Sequence, residues 1–281
     1  MIPWFEPPAL RVGPVTIQVF GILAALGVAV AVRLSAWAAR SRGLDPRPVL
    51  DAALWAVLAG IVAGHLVHVG LYHPVELRSP RRILEFWDGL SSMGGLAGGV
   101  VAIAIFFRRR GVRLSDYGDA FAVGVPTGWA VARVGCFVVH DHPGRLTSFP
   151  LAVRFPGGAR HDLGLYEALV LAAIAALLWT LWSRRALAGR LLPLLAVLYG
   201  AARFLLDFLR ADDVAYADAR YAGLTPAQYA ALALLAWGAW RLLRPPVRSE
   251  ECPSSSSRTT PASARESPTS SDSRDTPSTS P

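Results

Sequence analysis

Apolar residues along the chain are gathered into seven blocks of about 20 residues, separated by short polar segments. The blocks cover about 14–32, 49–71, 89–107, 117–139, 164–183, 190–209 and 223–243. An α-helix of about 20 apolar residues is long enough to cross the hydrocarbon core of a bilayer. The pattern therefore predicts an all-α integral membrane protein with seven transmembrane helices.

Composition divides the chain into two parts. Residues 1–248 contain all seven blocks, whereas residues 249–281 are almost entirely Ser, Thr, Pro and charged residues. A segment without apolar residues to bury does not form a packed core. We expect a seven-helix domain over 1–248 and a disordered tail over 249–281.

The basic residues predict the orientation of the helices. The chain carries a net charge of +8, but only 17% of its residues are charged, against about 25% in soluble domains. Arginines cluster in the first, third and fifth connections and after the last block, whereas the sixth connection is acidic. Positive connections of membrane proteins lie inside. The N-terminus is therefore expected outside, the tail in the cytoplasm, and nucleic acid is not an expected partner.

Two arginines lie inside segments that are otherwise apolar. Arg133 belongs to GWAVARVGCFVV and Arg203 to LLPLLAVLYGAARFLLDFL. Placing such a cation in a bilayer costs about 3 kcal/mol on insertion scales, so it usually faces a protein-lined cavity and has a function. A buried guanidinium commonly binds phosphate or carboxylate through its planar fork. Lipid head groups are the abundant phosphates of a membrane, which points to a phospholipid site.

The sixth block places three charged side chains on one helix stripe. Arg203, Asp207 and Arg210 stand at positions i, i+4 and i+7. A pair between Arg203 and Asp207 lowers the cost of burying both. The stripe fits a lipid site, and its alternative is a structural ion pair with Arg210 either reaching the interface or anchoring the acidic connection.

The end of the fourth block carries candidate acid–base residues. Arg133 is followed by Cys136 and then by His140, Asp141, His142 and Gly144. A histidine oriented by an aspartate can act as a general base, and the alternative is a polar cap at the water interface. The His-Asp-His spacing lacks a third ligand at a defined offset, so no metal site is predicted. Cys136 is read as a packing residue.

Further candidates open the third and fifth blocks. Glu167 lies about one turn into the fifth block, where a carboxylate needs a partner such as Arg133 or Arg203, and Tyr166 precedes it. Gly94 and Gly95 allow close approach either of another backbone or of a lipid head group.

These residues occur in motifs that resemble those of the prolipoprotein diacylglyceryl transferases, and the similarity runs in order over roughly residues 14–243. ARVGCFVVHDHPG resembles the family's GRIGNF-x-N-x-E-x-x-G, HDLGLYE its H-P-x-Q-L-Y-E, and YGAARFLLDFLR its YG-x-x-RF-x-x-EF-x-R. GLSSMGGLAGG is similar to its G-G-x-S-x-H-G-G-L-x-G, and GLTPAQYAALALLAWG to its final helix. Four positions depart from the family pattern: His is replaced by Met93, two Asn by Cys136 and Val139, and Tyr by Phe20.

The resemblance implies a multi-pass enzyme of the bacterial inner membrane with a lipid-accessible cavity on its outer half. Such an enzyme moves a diacylglyceryl group from phosphatidylglycerol to the lipobox cysteine of a precursor lipoprotein, without a cofactor. It implies that Arg133 and Arg203 hold the phosphate and that Glu167 and Asp207 fix their orientation. We expect His140 or His142, oriented by Asp141, to replace the missing histidine. Gly94, Gly95, Gly144, Tyr166 and Arg210 are the remaining expected substrate contacts.

Two alternatives stay open at this point. One is a diverged member of the family that binds phospholipid but uses another acceptor or has no turnover. The other is a seven-helix transporter or receptor, which predicts interrupted helices or inverted internal repeats. Neither feature is evident in the sequence.

Overall fold

A computed structural model describes residues 1–12, 15–72, 79, 81, 85, 89, 91–214 and 220–244. Within these ranges the chain is mostly helical, with seven long α-helices. They are α1 (Val19–Ser41), α2 (Arg47–Val67), α3 (Ser92–Arg109), α4 (Leu114–Val139), α5 (Leu163–Ser183), α6 (Leu191–Leu206) and α7 (Pro226–Leu243). The predicted tail over 249–281 lies outside the described residues.

The helices follow the seven apolar blocks, with one displaced boundary. The first block was expected to span 14–32, but α1 begins at Val19 and continues to Ser41. The alternating residues Val15–Gln18 form a strand instead, because alternation suits a pleated strand better than a helix. Arg33 and Arg40 therefore lie on α1 rather than in the connection that follows it.

Five of the helices are long and apolar enough to cross a membrane. They correspond to α1, α2, α4, α5 and α6. The apolar helical stretch that contains α2 continues to Gly70, and the one that contains α6 continues to Leu209. The other two, α3 and α7, have 18 residues each and are not among these five. Large apolar side chains such as Leu54, Trp55, Val100 and Leu205 are exposed on the helix surfaces. Exposed apolar faces of this extent are typical of a membrane protein.

Helices pack in pairs through small residues. The most extensive contacts join α1 with α4, α2 with α3, α6 with α7, and α4 with α5. A Cβ placed on Gly128 of α4 would lie 2.1 Å from the carbonyl oxygen of Gly27 in α1, so the two backbones touch here. Small residues allow this approach in membrane helices. The contact fixes α4, which carries Arg133.

Short strands, which the apolar blocks did not predict, accompany the helices. They are β1 (Ile2–Pro3), β2 (Ala9–Val12), β3 (Val15–Gln18), β4 (Pro143–Leu146), β5 (Val153–Phe155) and β6 (Gly158–Asp162). One sheet has the order β1-β5-β6-β4, with β1 parallel to β5 and the other pairs antiparallel, and β2 pairs with β3 in a separate hairpin. The all-α prediction did not include these strands, three of which form a small sheet in the connection between α4 and α5.

Candidate functional site: an arginine cluster joined by buried carboxylates

Glu167 joins the two buried arginines. It lies in the first turns of α5, with only 2% of its side chain exposed. One oxygen, Oε2, lies 3.1 Å from Arg133 Nη2 of α4 and 3.9 Å from Arg203 Nη1 of α6. Three helices thus deliver two guanidinium groups to one carboxylate oxygen. The sequence had indicated either arginine as a partner for Glu167, and the structure places both there.

A second carboxylate holds the other side of Arg203. Asp207 is fully buried, and its Oδ1 lies 3.0 Å from Arg203 Nη2 and 3.7 Å from Arg210 Nη1. The stripe expected on one helix forms, although the helix narrows to a 3₁₀ turn at Asp207–Leu209. Thr225, the N-cap of α7, donates a hydrogen bond from its hydroxyl to Asp207 Oδ2. The cluster therefore links α4, α5, α6 and α7.

The arginines retain binding capacity for an anion. Arg133, Arg203 and Arg210 bring three guanidinium groups to the carboxylates of Glu167 and Asp207. Arg133 Nε is buried and has no hydrogen-bond partner among the described residues. The side chains of Arg133 and Arg203 remain 14% and 13% exposed, so the cluster is not sealed. A monoanionic phosphodiester has the negative charge and the acceptor oxygens that guanidinium groups bind.

His140 is located in a buried aromatic environment rather than at an open surface. Its Nδ1 lies 3.0 Å from Asp162 Oδ2, and its ring contacts Trp4, Phe5, Phe137 and Phe155. The pairing expected between His140 and Asp141 is therefore replaced by one with Asp162. Burial is the largest influence on the Asp162 carboxyl, and it raises the pKa of that group above the ordinary value.

His140 also ends α4 in an unusual backbone conformation. Its φ angle is +52°, in the left-handed region, and its N–H donates to the carbonyl of Phe137. A residue with a Cβ rarely adopts this conformation unless its surroundings hold it there. The buried bond to Asp162 and the surrounding rings supply that support. The resulting turn directs the chain back across the end of α4.

This turn brings Asp141 and His142 to Cys136. Nδ1 of His142 contacts Asp141 Oδ1, and both side chains are partly open to solvent. Donor atoms of Cys136, Asp141 and His142 all lie within 4.8 Å of one another. Arg133 Nη1 lies 3.5 Å from the Cys136 sulfur, so this group borders the arginine cluster. The prediction of no metal site relied on a missing third ligand, and the structure places Cys136 beside Asp141 and His142 as a candidate for that ligand.

Gly144 connects the small sheet to the end of the arginine stripe. Its backbone forms a β-bridge with Arg210, and its carbonyl accepts a hydrogen bond from Arg160 Nη1 at 3.1 Å. Arg160 also donates two hydrogen bonds to the Asp213 carboxylate, which follows shortly after Arg210 in the sequence. These bonds lower the pKa of the exposed Asp213 carboxyl. Asp213 of the acidic connection is thus held by Arg160 of the sheet.

We expect Gly144→Ala to destabilise the fold by about 1–3 kcal/mol, the usual cost of overpacking. A Cβ at this position would lie 2.5 Å from the carbonyl oxygen of Leu209 and 2.8 Å from His161 Cβ. Thermal unfolding in detergent measures the change. Gly157→Ala is the matched control, because a Cβ there meets nothing within 4 Å. Equal melting temperatures for the two variants would contradict the prediction.

Three other expected substrate contacts lie away from the arginine contacts described above. Gly94 packs against α2, where a Cβ would lie 2.6 Å from Val67 Cβ, and Gly95 faces the carbonyl of Gly60. Gly94 and Gly95 were expected to allow close approach either of another backbone or of a lipid head group. The contacts with α2 correspond to the first of these roles. The hydroxyl of Tyr166 lies 3.0 Å from Nδ1 of His161, a histidine whose pKa is lowered by burial. The side chain of Met93 lies outside what the structure describes.

The sequence reasoning missed several partners in the cluster. Tyr199 donates to Glu167 Oε1 at 2.6 Å, and it stands four residues before Arg203 on α6. A spacing of four residues places Tyr199 and Arg203 on the same face of α6, and this spacing is the sequence signal that points to Tyr199. Thr225 and Gln228 form a capping box, whose Thr-x-x-Gln pattern is also readable in the sequence. The contact between His140 and Asp162 carries no local signal, because strands separate the two residues.

Comparison with known proteins gives a consistent result. The family model for prolipoprotein diacylglyceryl transferase matches residues 7–244. A protein of Nitratidesulfovibrio vulgaris is 32% identical over 256 residues, which cover 86% of this chain and 95% of the relative. One from Bordetella bronchiseptica is 32% identical over 88% of this chain and 98% of its own length, and one from Francisella tularensis subsp. mediasiatica is 28% identical over 84% and 92%. All three relatives are named phosphatidylglycerol–prolipoprotein diacylglyceryl transferase. A chain matched over this length, with the arginine motifs of the family at its charged centre, belongs to the prolipoprotein diacylglyceryl transferase family.

Proposed function

We propose that this protein transfers the diacylglyceryl group of phosphatidylglycerol to the lipobox cysteine thiol of precursor lipoproteins. The observation that carries the proposal is the shared position of Arg133 and Arg203 on Glu167. The reaction forms a thioether and releases glycerol phosphate. It is the activity in the names of the relatives, and the arginine cluster has the chemistry that it requires.

The arginines serve the leaving group. As the bond between the diacylglyceryl carbon and the phosphate oxygen breaks, the phosphate gains a second negative charge. Donors fixed in advance near that oxygen stabilise the transition state more than the ground state. Arg133 and Arg203 provide such donors, and their contacts with Glu167 and Asp207 fix the guanidinium planes before the lipid arrives. Arg210, whose Nη1 lies 3.7 Å from Asp207 Oδ1, adds a third guanidinium group to the cluster.

The acceptor thiol must lose its proton before it attacks. A free cysteine has a pKa near 8.5, and the thiolate is the nucleophile. Asp141 and His142 lie next to Arg133 by way of Cys136 and are partly open to solvent. We assign thiol activation to this corner of the site. His140 is buried against Asp162, which favours a role for it in shaping the turn.

We further propose that all seven helices cross the bacterial inner membrane, with the N-terminus outside. Arginines at the α1–α2, α3–α4 and α5–α6 connections then lie on the cytoplasmic side. The end of α4 and the start of α5, where Arg133 and Glu167 meet, lie in the outer half and open laterally to lipid. The seven-helix domain covers 1–248, and the segment 249–281 forms a cytoplasmic tail.

A second candidate function is phospholipid binding with a different acceptor or without turnover. The departures at Met93, Cys136 and Val139 favour it, because a base and hydrogen-bonding side chains of the family pattern are absent there. The arginine cluster supports both candidates equally. The acceptor reaction therefore separates them.

Complementation of a transferase-depleted bacterium tests the proposal. The full chain is expressed there, and one lipoprotein precursor is followed by mass spectrometry. We expect a diacylglyceryl-modified precursor. Unmodified precursor, with the protein folded in the membrane, would reject the transferase proposal and favour the second candidate. A relative from Bordetella bronchiseptica is the positive control.

A further inference from the structure

The corner formed by Cys136, Asp141 and His142 has the composition of a catalytic zinc site. Zinc is bound by cysteine sulfur, histidine nitrogen and carboxylate oxygen, and its catalytic sites use three protein ligands with a fourth position left open. The three donor atoms lie within 4.8 Å of one another. Mixed sulfur, nitrogen and oxygen ligands suit Zn²⁺ better than the oxygen-preferring Mg²⁺ or Ca²⁺.

The chain geometry explains how three residues so close in sequence converge. Cys136 is buried in the last turn of α4, and the left-handed turn at His140 reverses the chain after it. Asp141 and His142 then lie over the helix end instead of continuing away from it. The buried contact between His140 and Asp162 fixes this turn. In known metal sites the ligands are oriented by groups that hydrogen-bond to them, and Arg133 contacts the Cys136 sulfur in this way.

The charges of the corner also suit a divalent cation. Deprotonated Cys136 and Asp141 carry two negative charges, which neutralise Zn²⁺ and let it lie beside Arg133 without repulsion. Arg133 Nη1 already points to the cysteine sulfur at 3.5 Å. That contact becomes a charge-assisted hydrogen bond once the sulfur is a thiolate. Asp141 and His142 are solvent-accessible, so the ion and a fourth ligand can reach the site.

We propose that Cys136, Asp141 and His142 bind one Zn²⁺ ion whose open position binds the acceptor cysteine as a thiolate. This inference rests on the proposed transferase function for its purpose, although metal binding itself does not. A thiol that coordinates zinc is deprotonated by the metal. The ion thus performs the activation step for which the sequence had indicated a histidine base.

The reaction balances with zinc in this role. The acceptor thiol displaces zinc-bound water, and its proton leaves to solvent. The sulfur then attacks the diacylglyceryl carbon bonded to the phosphate oxygen, so a carbon–sulfur bond forms as the carbon–oxygen bond breaks. The electron pair leaves on glycerol phosphate beside Arg133 and Arg203. The neutral thioether is a weaker zinc ligand than the thiolate, which permits product release.

Cobalt replacement in the intact, folded protein tests the site without requiring turnover. The purified protein is stripped of metal, loaded with Co²⁺, and examined for a sulfur-to-cobalt charge-transfer band. The zinc content of the protein before stripping is measured separately, and one ion per chain is expected. We expect Cys136→Ser to remove the band and His142→Gln to weaken cobalt binding by more than about 100-fold, beyond the loss usual for an outer-layer partner. Cys252→Ser is the matched cysteine control and retains the band. Absence of the band in the unsubstituted protein, or its persistence in Cys136→Ser, would overturn the proposal.

A lipobox peptide separates this inference from the proposed function. Peptide with cysteine should intensify the charge-transfer band, whereas the same peptide with serine should not. Transfer by a zinc-free protein that shows no cobalt band would reject the zinc site but keep the transferase function, with His142 and Asp141 as the base. A cobalt band that responds to the peptide, without any transfer from phosphatidylglycerol, would keep the site and reject the transferase function.

Discussion

Replacement of Arg203 by alanine will lower kcat for diacylglyceryl transfer by about 10²–10³-fold, the usual cost of removing one fixed donor to a developing anion. Arg203 holds Glu167 on one side and Asp207 on the other, at 3.9 Å and 3.0 Å. Its removal also leaves buried carboxylates with fewer partners, which costs about 3–5 kcal/mol of stability. The measurements are transfer with purified protein and thermal unfolding.

Arg203→Lys distinguishes the phosphate role from the structural one. Lysine keeps the positive charge but not the planar fork, so the fold should be less affected than in Arg203→Ala while kcat remains low. Arg110→Ala is the matched control, because Arg110 forms an exposed ion pair with Asp51. Near-normal turnover in a folded Arg203→Lys protein would contradict a role for the bidentate guanidinium.

Glu167→Gln is expected to separate lipid binding from turnover. Glutamine preserves the shape of the side chain but removes the charge that holds Arg133 and Arg203 together. The cluster becomes more positive, so affinity for phosphatidylglycerol should not fall. The value of kcat should drop by about 10²-fold, a loss that misplacement of about 1 Å can cause. Steady-state kinetics with varied phosphatidylglycerol measures both parameters.

Tyr199→Phe is the matched comparison for Glu167. It removes only the hydrogen bond to Oε1, which is 2.6 Å long, and leaves the carboxylate in place. We expect a stability loss of about 1.5–3 kcal/mol and a smaller fall in kcat than for Glu167→Gln. If the two variants had equal kinetics, the carboxylate charge would not be what positions the arginines.

Local patterns in the sequence were sufficient for the helices and the arginine stripe. Apolar blocks give the positions of α2 to α7 within a few residues, because a bilayer-length helix needs a long uninterrupted apolar run. The spacing of Arg203, Asp207 and Arg210 on one face follows from the helical period alone. Glu167 was assigned a cationic partner for a physical reason, the cost of leaving it unpaired among apolar residues.

Contacts that depend on chain reversal were not accessible in the same way. The small sheet consists of strands two to five residues long, too short for a clear alternation pattern. The left-handed turn at His140 depends on Asp162, 22 residues later, which no local pattern connects to it. Cys136 was therefore read as packing, and its approach to Asp141 and His142 became visible only when that turn was located.

The most direct test of the central claim is transfer by the purified protein. Full-length chain in detergent is mixed with phosphatidylglycerol and a lipobox peptide, and the products are analysed by mass spectrometry. The account predicts a peptide carrying a diacylglyceryl thioether and an equal amount of glycerol phosphate, both lost in Arg203→Ala and retained in Arg110→Ala. Folded protein that binds phosphatidylglycerol but yields neither product would contradict it.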